Sequence, residues 1–183
     1  MSHLLEGKIA AVTGAGQGIG EAVVRKLAEY GASVVVTDIN AQKGRAVVED
    51  LRAAGHTAEF KSFDVTDFAH VKANVAALRG VFGRIDIWVN NAGITGATPV
   101  EQITEADWDR MQTIDLKSVF FCTQAVFEIM KEQNYGRLVH ISSMAGERGG
   151  RSSSAAYSSA KAGVLNLSKC FALAGGRYNI TSN

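Results

Sequence analysis

Hydrophobic positions along this chain fall into short continuous runs that alternate with helical spacings of three and four residues. A continuous apolar run predicts a strand that is buried on both faces, as in a parallel sheet. The helical spacing predicts amphipathic helices, each with one apolar face. The predicted strands are 9–12, 33–38, 57–63, 85–89 and 136–142, and the predicted helices are 19–28, 41–54, 68–81, 107–131 and 155–171.

Because strands and helices alternate one by one, we expect an α/β fold in which helices cover both faces of a parallel sheet. This is a three-layer αβα sandwich with a Rossmann-like sheet of strand order 3-2-1-4-5. A ligand is then expected over the carboxyl ends of the strands. The length of 183 residues suits one sizeable core and is too short for two ordinary domains.

Charge and composition exclude several classes of partner. The formal net charge is +1 and basic residues form no tract, so neither nucleic acid nor an anionic membrane is expected to bind. No apolar run is long enough to span a bilayer, and the first residues lack the apolar segment of a secretory leader, so we expect a cytoplasmic protein. Cys122 and Cys170 lie in apolar helical patterns without metal-ligand spacing, which predicts buried reduced thiols and no metal site.

The first strand breaks into a turn with glycine at every second position, from Gly14 to Gly20. Without Cβ atoms, the backbone of such a turn can adopt positive φ and lie directly against a pyrophosphate. The helix that follows presents free N–H groups to the same anion. The spacing is Thr13-Gly14-x-x-x-Gly18-x-Gly20, not G-x-G-x-x-G, since residue 19 is isoleucine. A glycine turn with no ligand is the alternative interpretation.

The second strand ends in Asp38, eighteen residues after Gly20. A dinucleotide-binding fold places an acidic residue near this position, where it accepts hydrogen bonds from the adenosine ribose. The carboxylate would repel a 2′-phosphate, and the next basic residue is Lys43, so NAD is favoured over NADP. The alternative is that Asp38 only caps the next helix, but Asn40 already suits that role.

Two further sets of residues are candidates for chemistry. Asn90-Asn91-Ala92-Gly93 follows the fourth strand, and small residues there would let a cofactor approach, although an ordinary Asn-rich turn has the same composition. Tyr157 and Lys161 are four residues apart, so they project from one face of a helix. Each motif alone is weak, because short patterns of this kind also arise by chance.

Taken in order along the chain, these motifs resemble the short-chain dehydrogenase/reductase family from Gly7 to about Asn179. The resemblance implies one NAD(P)-binding Rossmann domain at 1–183. It also implies hydride exchange between the nicotinamide and a secondary alcohol or ketone. The implied cofactor-binding residues are Gly14, Gln17, Gly18, Ile19, Gly20, Asp38, Asp64, Val65, Asn91, Ala92, Gly93, Tyr157 and Lys161.

The family resemblance also implies catalytic roles. Tyr157 would exchange the hydroxyl proton, Lys161 would assist it by its positive charge, and Ser143 would bind the substrate oxygen. Relatives usually carry asparagine where this chain has Asp115, and that asparagine holds a water of a proton relay. Asp115 is therefore a candidate fourth catalytic residue, with a plain helix-face carboxylate as the alternative.

Two expectations about the whole protein follow from the resemblance. Strands six and seven and the substrate-binding region of relatives are expected to be absent. Helices 107–131 and 155–171 are expected to pair with a second subunit in a homodimer or homotetramer. The reason is that Phe120, Phe121, Val126 and Phe127 provide more apolar surface than one sheet-facing stripe requires.

Two alternatives for function stay open. One is a 3-oxoacyl-carrier-protein reductase, whose usual NADPH use disagrees with Asp38, and the other is a catalytically inactive nucleotide-binding protein.

Overall fold

The computed structural model describes residues 3–150 and 154–183, which contain one sheet of six parallel strands. The order across the sheet is β3-β2-β1-β4-β5-β6, which confirms the order expected for the first five strands. The strands are β1 (Ile9–Thr13), β2 (Ser33–Asp38), β3 (Ala58–Ser62), β4 (Ile87–Asn90), β5 (Gly136–His140) and β6 (Ile180–Ser182).

The expected absence of a sixth strand is wrong, because β6 pairs with β5 in parallel register. The backbone N–H of Asn183 donates to the carbonyl of Leu138 at 3.0 Å, and the N–H of His140 donates to the carbonyl of Asn183 at 2.9 Å. Ile180 is 2% exposed and belongs to the same core as Leu138. Three residues are too few for a recognisable period, so burial and pairing decided this strand.

Consecutive residues of the central strands point into two separate cores. Ala11, Val35 and Trp88 belong to the core under the third and fifth helices, whereas Val34 and Val36 belong to the core under the first two. This division explains why the strands read as continuous apolar runs, since both faces of the sheet are covered. The helices are α1 (Gly18–Glu29), α2 (Ala41–Ala53), α3 (Val71–Phe82), α4 (Glu105–Gln112), α5 (Ser118–Gln133), α6 (Met144–Arg148) and α7 (Ala155–Gly175).

Two predicted helix starts are supported by capping side chains. The Asn40 side chain accepts from the N–H of Lys43 at 3.0 Å, and Thr104 and Asp107 form a reciprocal capping box at the start of α4. The predicted start of the third helix at residue 68 is wrong, because residues 64–70 form turns and α3 begins at Val71. Asp67, the residue before the predicted start, contacts the His70 ring at 2.9 Å.

The predicted long helix 107–131 is interrupted. Residues Thr113–Lys117 form a π-helical segment between α4 and α5, so one residue more than usual is accommodated in that turn. The segment carries Asp115, which is 0% exposed. Single π turns are frequent at functional sites because they re-aim one side chain, and here the turned side chain is the one whose role the sequence left open.

Of the two cysteines expected to be buried, one is buried and one is exposed. Cys122 is buried, and burial raises the pKa of its thiol to about 12, which makes it inert as a nucleophile. Cys170 is exposed, so the expectation that both thiols are buried is wrong for this residue. Among residues 3–150 and 154–183, no group of three metal-ligating side chains comes together, and no helix is long and apolar enough to cross a membrane.

Candidate active site

The glycine-rich turn between β1 and α1 packs against the segment that follows β4. Gly14 has φ of +62°, and a Cβ atom there would lie 2.9 Å from the Cα of Ala92. A Cβ on Gly20 would collide with both the Asn91 side-chain nitrogen and the carbonyl oxygen of Gly14. The turn therefore requires glycine at both ends, for backbone conformation at the first and for close approach at the second.

Asn91 and Thr13 hold the two segments together. The Asn91 amide donates to the carbonyls of Thr13 at 2.9 Å and Gly14 at 3.0 Å. The Thr13 hydroxyl oxygen accepts from the backbone N–H groups of Asn91 and Ala92, both at 3.0 Å. The Asn91 side chain thus stabilises the conformation of the glycine-rich turn. Sequence reasoning left Thr13 without a role, although a hydroxyl residue at a strand end before a glycine turn was the available signal.

Asp38 stands at the end of β2 beside this turn. Its carboxylate accepts from the backbone N–H of Gly16 at 2.9 Å and from that of Asn40 at 2.8 Å. These two bonds leave further lone pairs free, because a carboxylate can accept about four hydrogen bonds. The side chain is half-buried at the cleft, so a ligand can still reach it. On the same rim, Lys43 donates to the side chain of Gln17.

A cleft of about 670 Å³ opens over the carboxyl ends of β1, β2 and β4. All the expected cofactor-binding residues outside α7 line it except Gly20, which lies behind the turn. Asp64 is exposed there and accepts from the Thr66 N–H at 2.8 Å, while the neighbouring Val65 is buried. Sequence reasoning missed the remaining lining residues, which are Ile39, Asn40, Lys43, Phe63, Thr66, Ile94, Arg110 and Ile114.

Tyr157 and Lys161 lie on one face of α7, as their spacing predicts. The buried hydroxyl of Ser154 caps the helix by accepting from the Tyr157 N–H at 3.2 Å. The Lys161 ammonium lies 5.7 Å from the centroid of the Tyr157 ring and donates to the carbonyl of Ile141 at 3.1 Å. Lys161 is only 5% exposed, so its charge needs these partners.

Asp115 supplies the other partner of Lys161. Its Oδ1 lies 3.3 Å from the Lys161 ammonium and 3.1 Å from the backbone nitrogen of Ile94, which donates to it. Burial raises the pKa of Asp115, while the charge of Lys161 and the Ile94 N–H oppose that rise. A Cβ on Gly93 would collide with Asp115 Oδ1 and lie 3.4 Å from the Lys161 ammonium. Asp115 is therefore a residue of the site and not a solvent-facing carboxylate.

The two serines after β5 have different surroundings. The Ser142 hydroxyl donates to the Lys161 carbonyl at 2.8 Å, which fastens the end of the strand to α7. Ser143 caps the short helix α6 by accepting from the Ala145 N–H at 3.1 Å, and its hydroxyl hydrogen remains available. Sequence reasoning did not foresee α6. Of the two serines, Ser143, the one expected to bind the substrate oxygen, has a hydroxyl hydrogen that is not donated to another described residue.

A chain of buried polar side chains lies behind the serines. The Trp88 indole N–H donates to the Asn90 oxygen at 2.8 Å, so the Asn90 amide nitrogen must face Thr123 and His140, at 2.8 and 2.9 Å. His140 then accepts at Nδ1 and donates through Nε2 to Ser182 at 3.0 Å. Burial lowers the pKa of His140 to about 4, which fits a neutral packing residue better than a base.

Known proteins are similar to the chain along almost its full length. The model of the short chain dehydrogenase family matches residues 8–183. The (2S)-[(R)-hydroxy(phenyl)methyl]succinyl-CoA dehydrogenase subunit BbsD of Thauera aromatica is 41% identical over 98% of this chain and 71% of its own length. The 3-oxoacyl-[acyl-carrier-protein] reductase of Escherichia coli is 36% identical over 97% and 71%.

Two solved structures share the arrangement of the backbone. A gluconate 5-dehydrogenase from Burkholderia cenocepacia, in complex with NADP and tartrate, superposes with a TM-score of 0.93 at 34% identity, covering 99% of this chain and 71% of that one. An NAD+-bound xylitol dehydrogenase superposes with a TM-score of 0.94 at 37% identity, covering 98% and 69%. The chain therefore spans about 70% of the length of these proteins.

Proposed function

The chain belongs to the short-chain dehydrogenase family of oxidoreductases, and we propose that it exchanges a hydride between NAD and a secondary alcohol or ketone, with Tyr157 as acid and base. We also propose that residues 1–183 act as a single NAD(P)-binding domain. The observation that carries the proposal is the position of Gly93. It lines the cleft, and a Cβ atom added to it would reach both Asp115 and Lys161, so the cleft and the Asp115–Lys161 pair adjoin each other.

The cleft fits a dinucleotide. The start of α1 would present its backbone N–H groups to a pyrophosphate. The absence of side chains at Gly14 and Gly20 lets the turn pack closely against Ala92 and Asn91. Asp38 would accept from the ribose hydroxyls. Asp64, Val65, Ile39 and Ile114 line the same cleft and would contact the adenine.

The catalytic residues then have separate tasks. A bound nicotinamide supplies the hydride acceptor or donor. Tyr157 takes the hydroxyl proton in oxidation and returns it in reduction, and Lys161 favours the phenolate by its charge and can bind the nicotinamide ribose. Ser143 donates its hydroxyl hydrogen to the substrate oxygen and so orients the carbon that exchanges hydride.

Replacing Tyr157 by phenylalanine tests this assignment, since it removes the proton and keeps the ring. Turnover should fall by at least about 10²-fold, the lower end of a general acid–base contribution, while NADH binding stays within a factor of about two. The matched control is Tyr135→Phe, a tyrosine whose ring stacks on Lys8 and Arg137 outside the cleft. Full activity of Tyr157→Phe would refute the role of this residue.

Cofactor preference is tested by titrating NADH and NADPH in the parent protein and in Asp38→Asn. We expect tighter NADH binding in the parent and a smaller difference in the variant, because the repulsion of a 2′-phosphate is removed. Comparing the ratio of the two dissociation constants cancels any damage to the Gly16 and Asn40 contacts, which affects both cofactors. Equal affinities in the parent would reject the NAD preference.

The substrate is a small molecule that relatives suggest by class. A panel of gluconate, xylitol, a 3β-hydroxysteroid and hydroxyacyl thioesters covers chemistry named among the relatives. Reduction of a 3-oxoacyl thioester with NADPH as the better cofactor would favour the second candidate, a 3-oxoacyl-carrier-protein reductase. Nucleotide binding without turnover of any member of the panel would favour a catalytically inactive nucleotide-binding protein.

We further propose a homodimer or homotetramer. Phe120, Phe121, Phe127 and Phe171 are only half-buried and stack on one another along α5 and α7, with centroids 5.1 to 6.0 Å apart. An apolar groove of about 460 Å³ lies beside them. Val126 does not belong to this surface, because it is 0% exposed and packs in the chain's own core. Light scattering should give a mass of two or four chains, and a monomer at micromolar concentration would reject the assembly.

A further inference from the structure

We propose that Asp115 is a positioning residue that acts as the counter-charge of Lys161 and thereby sets the pH range in which Tyr157 works. This inference rests on the proposed function and concerns its regulation by pH. Asp115 is an acid in contact with the lysine of the proposed catalytic site. The consequence is that the positive charge beside Tyr157 is partly cancelled.

The contacts of Asp115 favour its ionised form. Both neighbours of its Oδ1 are donors, namely the Lys161 ammonium at 3.3 Å and the Ile94 N–H at 3.1 Å. The side chain of Asp115 is 0% exposed and that of Lys161 is 6% exposed, so solvent screens their interaction little. The two donors at this oxygen favour the carboxylate, whereas burial raises the pKa of Asp115 above its usual value.

Other charged groups around Asp115 are directed elsewhere. On the π segment, Lys117 lies over the ring of Phe68, 4.5 Å from its centroid. On α4, Arg110 is exposed in the cleft. The strand end behind the site contributes the carbonyl of Ile141, which is neutral. Of the described residues, Lys161 is therefore the charged group that acts on Asp115, and Tyr157 is the titratable group on the far side of Lys161.

The sign of the effect follows from charge alone. A carboxylate near Tyr157 disfavours the phenolate, whereas the ammonium of Lys161 favours it. Removing the carboxylate charge leaves the ammonium uncompensated, so the phenolate should form at lower pH. Removing one unit charge that contacts Lys161 is expected to shift the midpoint by about one pH unit, or about tenfold in the phenolate fraction.

The Asp115→Asn variant isolates the charge. Asp115 contacts Lys161 through Oδ1, and the Ile94 N–H lies 3.1 Å from Oδ1 and 3.3 Å from Oδ2, so an asparagine oxygen in the place of Oδ1 keeps the lysine and the shorter Ile94 contact. The matched control is Asp86→Asn. Asp86 is also 0% exposed, accepts a backbone N–H from Ile9 at 2.9 Å and pairs with a basic residue, Arg84, but it lies at the opposite end of β4.

The experiment measures phenolate formation directly by ultraviolet absorbance during a pH titration of the chain without cofactor or substrate. The protein has four tyrosines, so subtracting the titration of Tyr157→Phe from that of the parent isolates Tyr157. The same subtraction in the Asp115→Asn background should give a midpoint about one pH unit lower. Asp86→Asn should lower thermal stability and leave the midpoint unchanged.

The outcomes separate this inference from the proposed function. An unchanged or higher midpoint in Asp115→Asn, or an equal shift in Asp86→Asn, overturns the counter-charge role whether or not the enzyme turns over. If a substrate is found, the pH profile of kcat for Asp115→Asn should shift in the same direction as the midpoint. A shifted midpoint in a protein without turnover would support the inference and count against the proposed function alone.

Discussion

At the ends of β1 and β2 the cleft is lined by backbone and by side chains that solvent reaches, whereas the charges beyond β4 and β5 are buried beside the cleft. We call the first region, with Gly14–Gly20, Asp38 and Asp64, the nucleotide half, and the second, with Asp115, Ser143, Tyr157 and Lys161, the catalytic half. Asp38 and Asp64 accept hydrogen bonds from the backbone N–H groups of nearby residues. Asp115 and Lys161 form an ion pair between different helical segments. The two halves should therefore fail in different ways.

The difference teaches how each half obtains its specificity. In the nucleotide half, the glycines lack side chains and so let the turn pack closely, and the solvent-accessible carboxylates of Asp38 and Asp64 can move within the cleft at little cost. In the catalytic half, each charge is buried and depends on one or two partners, so displacing one partner leaves the other uncompensated. We expect changes of volume to damage the nucleotide half and changes of charge or hydrogen bonding to damage the catalytic half.

The largest effect is expected from Gly20→Ala, in the nucleotide half. The new methyl group would collide with the Asn91 amide and with the Gly14 carbonyl, neither of which can move without opening the turn. We expect a loss of about 3 kcal/mol in the free energy of unfolding, at the upper end for overpacking, and loss of NADH binding. Urea unfolding and NADH titration measure the two effects.

The matched control for that prediction is Gly80→Ala in α3, where a Cβ would meet nothing within 4 Å. Because alanine favours a helix interior over glycine, this variant should gain about 0.5 to 1 kcal/mol. A Gly20→Ala protein as stable as the parent would contradict the packing of the turn against Asn91.

The second prediction concerns His140, a buried titratable side chain on β5. The pKa of His140 is lowered from 6.5 to about 4 by burial, so the folded protein binds fewer protons than the unfolded chain between these values. The contribution is fully present above pH 6.5 and is lost as the pH falls towards 4. We expect up to roughly 3 kcal/mol of unfolding free energy to be lost over that window.

Denaturant unfolding from pH 7 to pH 4, in the parent and in His140→Asn, measures this contribution. Asparagine can accept from Asn90 and donate to Ser182 but does not gain a proton, so the variant should lose less stability with falling pH. Carboxylates titrate in both proteins and cancel in the difference. Parallel pH dependences of the two proteins would show that His140 is not the cause.

The third prediction compares the effects of two glycine-to-alanine substitutions, one in each half, that each place a methyl group beside a carboxylate. A Cβ on Gly16 would lie 2.9 Å from Asp38 Oδ2, and a Cβ on Gly93 would collide with Asp115 Oδ1. Asp38 is half-exposed, so water can replace its hydrogen bond to the Gly16 N–H when the carboxylate moves, and Gly16→Ala should cost about 1 kcal/mol. Asp115 is enclosed with Lys161, so Gly93→Ala should cost about 1 to 3 kcal/mol.

The two alanine variants should also differ in what they impair. Gly93→Ala should reduce turnover more than NADH affinity, since it disturbs the lysine, and Gly16→Ala should do the reverse. Thermal unfolding and NADH titration of both proteins provide the comparison. Equal losses of stability and of affinity would show that the two halves do not differ in rigidity.

Effects of about the same size as that of Gly16→Ala are expected at the helix caps. Asn40→Ala removes the cap of α2 beside the cleft, and Ser154→Ala removes the buried cap of α7. Each should cost about 1 kcal/mol, the usual value of an N-cap side chain. Ser154→Ala should also lower kcat, because its partner is the N–H of Tyr157, whereas Asn40→Ala should weaken NADH binding only. Chemical denaturation with steady-state kinetics distinguishes them, and identical kinetic effects would contradict the division.

The sequence by itself determined the elements whose signals are local. Continuous apolar runs predicted β1 and β2, Asn40 predicted the start of α2, and spacing put Tyr157 and Lys161 on one helical face. Strand order for the first five strands also followed, because alternating strands and helices leave few right-handed arrangements. These features depend on residues within a few positions of one another.

Only the tertiary structure decided the features that join distant segments. β6 is held by pairing with β5, and no period in three residues could indicate it. The π turn at Thr113–Lys117 turns Asp115 towards Lys161, forty-six positions away, and Gly93 and Ile94 complete its contacts. A sequence pattern records which side chains are available. Whether a carboxylate meets an ammonium or water depends on burial and on which backbone groups are left to be paired, and both are set when the helices pack on the sheet.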